Sequence, residues 1–188
     1  SAFENANITC INGFDSKLII TGGFWGGNIF KNSNHGIFIR NINSSFIGPT
    51  IFGNYFQNLR GGIWFWGSKL ASIRGNIFNE GLTPQAENGL GIATYLSSNF
   101  VIIDNFFYRM ERGIKCQSSG SSSGLIGFKE RGNKFDNCFL PIETIGINEL
   151  LNIHCNNFIN YDDAEYGNIT WDISGTFPSQ GISGGKVS

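Results

Sequence analysis

The sequence predicts an all-β chain folded as a right-handed parallel β-helix of about six coils. Three observations predict it: a short phrase that recurs at a near-constant interval, a β-rich run before each copy, and a composition poor in helix formers. The phrase is Gly27-Asn28-Ile29-Phe30, then Gly53-Asn54-Tyr55-Phe56, Gly75-Asn76-Ile77-Phe78, Asp104-Asn105-Phe106-Phe107, Gly132-Asn133-Lys134-Phe135 and Asn156-Asn157-Phe158. Its Phe residues are separated by 26, 22, 29, 28 and 23 positions, so strands of fixed length alternate with loops of variable length. Only 14% of the 188 residues are charged, while 18 are Phe, 26 are Gly and 23 are Asn. Such a chain suits pleated surfaces and tight turns.

Each copy of the phrase follows a run that reads as a strand: Leu18 to Thr21, Ile47 to Phe52, Leu70 to Arg74, Phe100 to Ile103, Leu125 to Phe128 and Leu150 to His154. After the phrase comes a polar turn and a second strand that opens on Gly and an apolar residue: Gly36-Ile37, Gly62-Ile63, Gly89-Leu90 and Gly113-Ile114, with Phe139-Leu140 in the fifth coil. One coil cannot bury its own apolar face. Stacked coils close a continuous core and pair every backbone group with the rung above or below. Asn in the phrase is expected to take left-handed turn conformations and to bond its counterpart in the next coil, and Phe to stack inside. Hairpin turns of the kind a propeller or an up-and-down barrel needs are scarce.

The β-helix is expected over residues 1–174, followed by a Gly- and Ser-rich extension, 175–188, without strand pattern. With no polar cap at either end, the chain reads as an excised piece or processed product. A net charge of −1 gives no reason to expect nucleic acid, and no apolar run approaches bilayer length, so no membrane insertion is expected. Cys10, Cys116, Cys138 and Cys155 form no C-x-x-C pair, so neither a metal site nor a disulfide framework is inferred, and no cofactor.

Alternation fixes the outward face of the second strands once Ile37 and Ile39, Ile63 and Phe65, Leu90 and Ile92, Ile114 and Cys116, Leu140 and Ile142 point inward. One outward column then reads Phe38, Trp64, Gly91, Lys115, Pro141, and the next Arg40, Trp66, Ala93, Gln117, Glu143. Gly91 and Ala93 would leave a dent beside the tryptophans, with Tyr95 at one rim and Lys115 and Gln117 beyond. Rings beside a cleft lined by hydrogen-bonding groups suit a sugar chain. Alternatively the rings are covered by a neighbouring subunit or by the loop Glu80 to Asn88. A further column, two residues before each opening Gly, reads Asn34, Arg60, Glu87, Glu111, Asn137. Glu87 and Glu111 on adjacent rungs could act as acid and nucleophile in glycoside hydrolysis, mutual repulsion keeping one protonated, with Glu143 as alternative partner. Asp162, Asp163 and Glu165 cluster without matching a calcium loop, and His35 and His154 are assigned to turn and core packing.

These coils, with their Gly-Asn-x-Phe and Gly-Ile phrases, resemble the pectate-lyase-like β-helix superfamily, and within it the tailspike and tail-fibre proteins of bacteriophages, over roughly residues 5 to 173. The resemblance implies a homotrimer in the virion tail that recognises, and often cleaves, capsule or lipopolysaccharide. A non-catalytic receptor-binding or spacer segment and a secreted bacterial polysaccharide lyase or epimerase are the alternatives, Lys115 near Glu111 being the one hint of the last. No catalytic residue transfers by motif, and the aspartate signatures of polygalacturonases are missing.

Overall fold

The computed structural model describes residues 1–4, 9–14, 18–22, 27–41, 48–79, 89–119, 123–159 and, as backbone, 173–182. The chain winds through short strands: β1 (Ala2–Glu4), β2 (Thr9–Phe14) and β3 (Ile19–Thr21); β4 (Ile29–Lys31), β5 (His35–Arg40) and β6 (Thr50–Phe52); β7 (Tyr55–Gln57), β8 (Gly61–Trp66) and β9 (Ser72–Arg74). It continues through β10 (Ile77–Asn79), β11 (Leu90–Tyr95) and β12 (Phe100–Ile103); β13 (Phe106–Tyr108), β14 (Arg112–Gln117) and β15 (Gly124–Ile126); β16 (Lys134–Asp136) and β17 (Leu140–Ile153); β18 (Asn157–Ile159) and β19 (Ile173–Ile182). Every pairing between them is parallel, and each strand joins its counterpart one coil away. Three faces result. The first is β1-β4-β7-β10-β13-β16-β18, the second runs β2-β5-β8-β11-β14 into β17, and the third runs β3-β6-β9-β12-β15 into the far end of β17. The fold is the expected all-β parallel solenoid, its turn count close to the six coils expected, with no helix among the described residues.

Two internal ladders explain the repeated phrase. Phe3, Phe30, Phe56, Phe78, Phe107, Phe135 and Phe158 stack with centroid spacings of 4.8 to 5.3 Å, near the parallel-strand repeat. Beside them Asn28, Asn54, Asn76, Asn105, Asn133 and Asn156 form a ladder of hydrogen bonds from coil to coil, each Nδ2 donating to the next Oδ1 at 2.9 to 3.1 Å. The same Oδ1 atoms accept the backbone N–H of the preceding coil's Asn, at 3.0 Å from Asn54 to Asn76 and 3.1 Å from Asn105 to Asn133. These amides therefore satisfy the backbone groups that each corner withdraws from the strand ladder. The opening glycines leave room for the rings: a Cβ on Gly91 or Gly113 would lie 2.6 or 2.5 Å from Cε1 of Phe107 or Phe135.

Each coil uses three strands, because the phrase itself is extended. Three features differ from the expectation. The left-handed residue at this corner is not the ladder Asn but the one before it, Gly53, Gly75, Asp104 or Cys155, while Asn32, Asn58 and Asn137 take that conformation at another corner. The tail is not without strand, since β19 pairs with β17 from Ile142↔Ile173 onward and extends past residue 174. Finally, the register of two rungs slips by two residues: Ile92 and not Leu90 lies against Ile63, and Ile142 and not Leu140 against Ile114. Gly89-Leu90-Gly91-Ile92 offers two Gly-apolar pairs, and a slip of two preserves which side chains face inward. The inward pairs are then Ile92 with Thr94 and Ile142 with Thr144, all fully buried.

Candidate functional site

The corrected register redraws the outward face of the second sheet. One column is Asn12, Phe38, Trp64, Ala93, Lys115, Glu143, and the next is Phe14, Arg40, Trp66, Tyr95, Gln117, Ile145. Gly91 and Pro141 leave the first column, and Ala93 and Glu143 move into it from the second. Tyr95 is thus not a rim residue but stands directly against Trp66. Their rings lie 5.5 Å apart at 25°, and the Arg40 guanidinium sits 5.6 Å from the Trp66 ring centre on the other side. Trp64 packs 5.6 Å from Tyr95 and edge-on to His35 at 4.7 Å. Its indole folds over Gly61, where a Cβ would come within 2.3 Å of Nε1, and that buried Nε1 has no hydrogen-bond partner among the described residues. No open dent stands at Ala93, which is fully buried on the rung between Trp64 and Lys115, whereas Trp66 remains 42% exposed.

Two coils further along lies a charged cluster. Arg112 reaches Glu111 Oε1 through Nη1 at 3.0 Å and faces Glu143 Oε2 through Nε at 3.2 Å, and Lys115 Nζ stands 3.8 Å from the same Glu143 oxygen. The Arg112–Glu143 approach is an ion pair without the alignment of a hydrogen bond. Glu143 is held at 8% exposure between two cations, a position that limits the high cost of burying a lone charge. Lys115 is therefore a partner of Glu143 rather than of Glu111. Glu87 lies outside the described residues, and the position that the register sets between Arg60 and Glu111 belongs to Gly89, whose N–H donates to Arg60 O while its carbonyl accepts from Arg112 N–H. Asp162, Asp163, Glu165 and the covering loop 80–88 also lie outside the described residues.

All seven soft donors of the chain, four Cys, two His and Met110, are among the described residues. Cys116 and Cys138 sit in the core, where burial pushes both thiols up to about 12, the Thr94 hydrogen bond opposing this at Cys116 and backbone hydrogen bonds at Cys138. Met110 is buried, Cys10 contacts Ser33 Oγ at 3.4 Å, and exposed Cys155 lies 3.7 Å from His154 Nδ1. No group of three His, Cys, Asp or Glu converges among the described residues. The arrangement can offer ring faces, fixed cations and paired carboxylates to a ligand lying along the sheet.

Trp64, Trp66 and Arg40 lie in the outward columns that alternation set for them. Sequence reasoning missed the Trp66–Tyr95 stack and the Lys115–Glu143 pair because the slipped rungs separated partners that alternation alone could not align. No curated protein and no solved structure matches the chain. A family model described as periplasmic copper-binding protein (NosD) matches residues 17–188, so the chain belongs to that family of β-helix-type proteins.

Proposed function

We propose that the chain is a glycan-binding β-solenoid module that works outside the cytoplasm of a bacterium. The observation that carries this reading is the Arg40–Trp66–Tyr95 stack: three flat groups in consecutive rungs, partly open to solvent, on a rigid sheet. Sugar C–H faces lie on such rings, and side chains locked in a ladder lose little entropy on binding. Trp66→Ala should weaken binding on an array of bacterial polysaccharides by about tenfold or more, the loss expected of a central aromatic anchor, with the far-ultraviolet spectrum unchanged. Wild-type protein that binds no polysaccharide would refute the reading.

Cleavage is a second reading, supported by Glu111 and Glu143 on either side of Arg112 on the same face. It expects new reducing ends or unsaturated sugars from a bound glycan and their loss in Glu143→Gln. Ion pairing of both carboxylates favours binding over acid–nucleophile chemistry. The homotrimer and the virion tail draw support from the resemblance alone, whereas the family description speaks for a periplasmic setting; light scattering tests the trimer.

The residues present do not fit the copper of the family description. Copper(I) calls for converging thiolate, thioether or imidazole ligands, but two of the four thiols are buried apart from any metal-ligating cluster and stay protonated at neutral pH, and His154 and Cys155, 3.7 Å apart, belong to no group of three His, Cys, Asp or Glu among the described residues. Dialysis against copper(I) under a competing chelator should leave less than one equivalent bound, measured by atomic absorption.

A further inference from the structure

Beside the ring stack the backbone does something it does nowhere else among the described residues. Leu96, next to Tyr95, and Leu70, four residues after Trp66, both take left-handed conformations, with φ of 47° and 58°, and both side chains are exposed, at 61% and 56%. The other non-glycine residues with positive φ are Asn, Asp, Ser, Lys, Arg and Cys. A side chain with Cβ is disfavoured there, and a large apolar one gains nothing from water. Neighbouring coils use what the corner prefers: Gly67, Ser118 and Gly146 in the Leu96 column and Asn99 in the Leu70 column. The two leucines sit in adjacent coils, since Gly67 N–H donates to Tyr95 O at 2.8 Å and Leu70 N–H to Ser98 O at 3.2 Å. They therefore stand at neighbouring corners beside the ring stack, an apolar ledge with exposed Lys69 preceding Leu70 in the chain and Arg40 against Trp66.

We propose that this ledge selects O-acylated glycans, with Leu70 and Leu96 as specificity-determining residues, a proposal that rests on the glycan-binding reading above. An unsubstituted sugar needs the ring faces and hydroxyl partners only. An O-acyl group adds a methyl or chain for the leucines and a carbonyl oxygen for Lys69 or Arg40, so the ledge and its cations match both halves of the ester. Large apolar side chains held exposed at left-handed corners, a combination found at Leu70 and Leu96 alone among the described residues, are what a binding role leaves behind.

The test is an array of bacterial surface polysaccharides, each printed native and after mild alkaline de-O-acylation. Wild-type protein should bind acylated forms about tenfold more tightly, the discrimination one small apolar group can supply. Leu70→Asn with Leu96→Ser places at each corner what a neighbouring coil already carries, so the fold is kept; this variant should bind both forms at the de-O-acylated level, whereas Trp66→Ala weakens both. Equal wild-type binding to the two forms overturns the acyl proposal and leaves glycan binding standing. Binding to neither overturns both. Absence of acyl preference together with self-association that the double variant abolishes would make the ledge an interface between copies and overturn the proposal.

Discussion

Asn105→Ala is expected to lower the unfolding free energy by about 4 kcal/mol, well above the typical cost of a point mutation. The Oδ1 atom of Asn105 accepts both the backbone N–H and the side-chain amide of Asn76, at 3.0 and 3.1 Å. Its Nδ2 serves Ile73 O, Ile103 O and Asn133 Oδ1, each at 3.0 Å. Alanine strands the buried Asn76 N–H and removes a donor from three oxygens, at about 1–3 kcal/mol for a group left wholly unpaired. Urea denaturation followed by circular dichroism reads the loss directly. Asn105→Asp is the informative companion, because it keeps the acceptor but sets a carboxylate among those three oxygens. The folded state would then favour the protonated acid, so this variant should lose stability as pH rises from 4 to 7 while wild type does not. A variant insensitive to pH would mean that the ladder opens to water at this point.

Phe107→Ala should cost about 3–5 kcal/mol, the range for emptying a fully buried aromatic site. Phe107 is completely buried between Phe78 and Phe135, each 4.8 Å away and within 7° of parallel. The rings cannot close the gap without leaving the strand spacing that positions them, so the cavity persists. Gly91→Ala attacks the same contact from the other side, for its Cβ would meet both Phe107 Cε1 and the carbonyl of Gly113 at 2.6 Å. Because one space is shared, Gly91→Ala combined with Phe107→Leu should be less destabilised than the sum of the single variants. Strict additivity in that cycle would show that the backbone contact, not the ring, is what excludes a side chain at Gly91.

The ladders were legible because they are local. Asn and Phe recur two positions apart in six successive coils, and stacking those coils turns the phrase into two ladders. What failed was alignment across coils where the local signal is duplicated or weak. Leu90 and Leu140 looked like the partners of Ile63 and Ile114, but Ile92 and Ile142 take those places, and the inward set runs on to Thr94 and Thr144, polar side chains that a hydrophobic pattern passes over. The slip moved Glu143 from the Arg40 column to the Lys115 column, and with it the charge pairing of the site. The ledge was out of reach altogether, since Leu70 was read as part of a strand and only the torsion angle shows that it sits on a corner. Alternation tells inside from outside; it carries no information about which coil a neighbour belongs to.

The amide ladder also gives the solenoid an electrical sense. From Asn28 to Asn133 every side chain offers its N–H toward the next coil, and from Asn54 to Asn156 every carbonyl faces the previous one, with no reversal in the series. Parallel amide dipoles add along the axis, whereas the strands themselves lie across it and contribute little. Two such columns joined head to tail would continue the series unbroken, while two joined head to head would bring like poles together. A row of identical side chains thus does for this molecule what a magnet's polarity does for a bar: it makes the two ends chemically different although the coils between them are nearly the same.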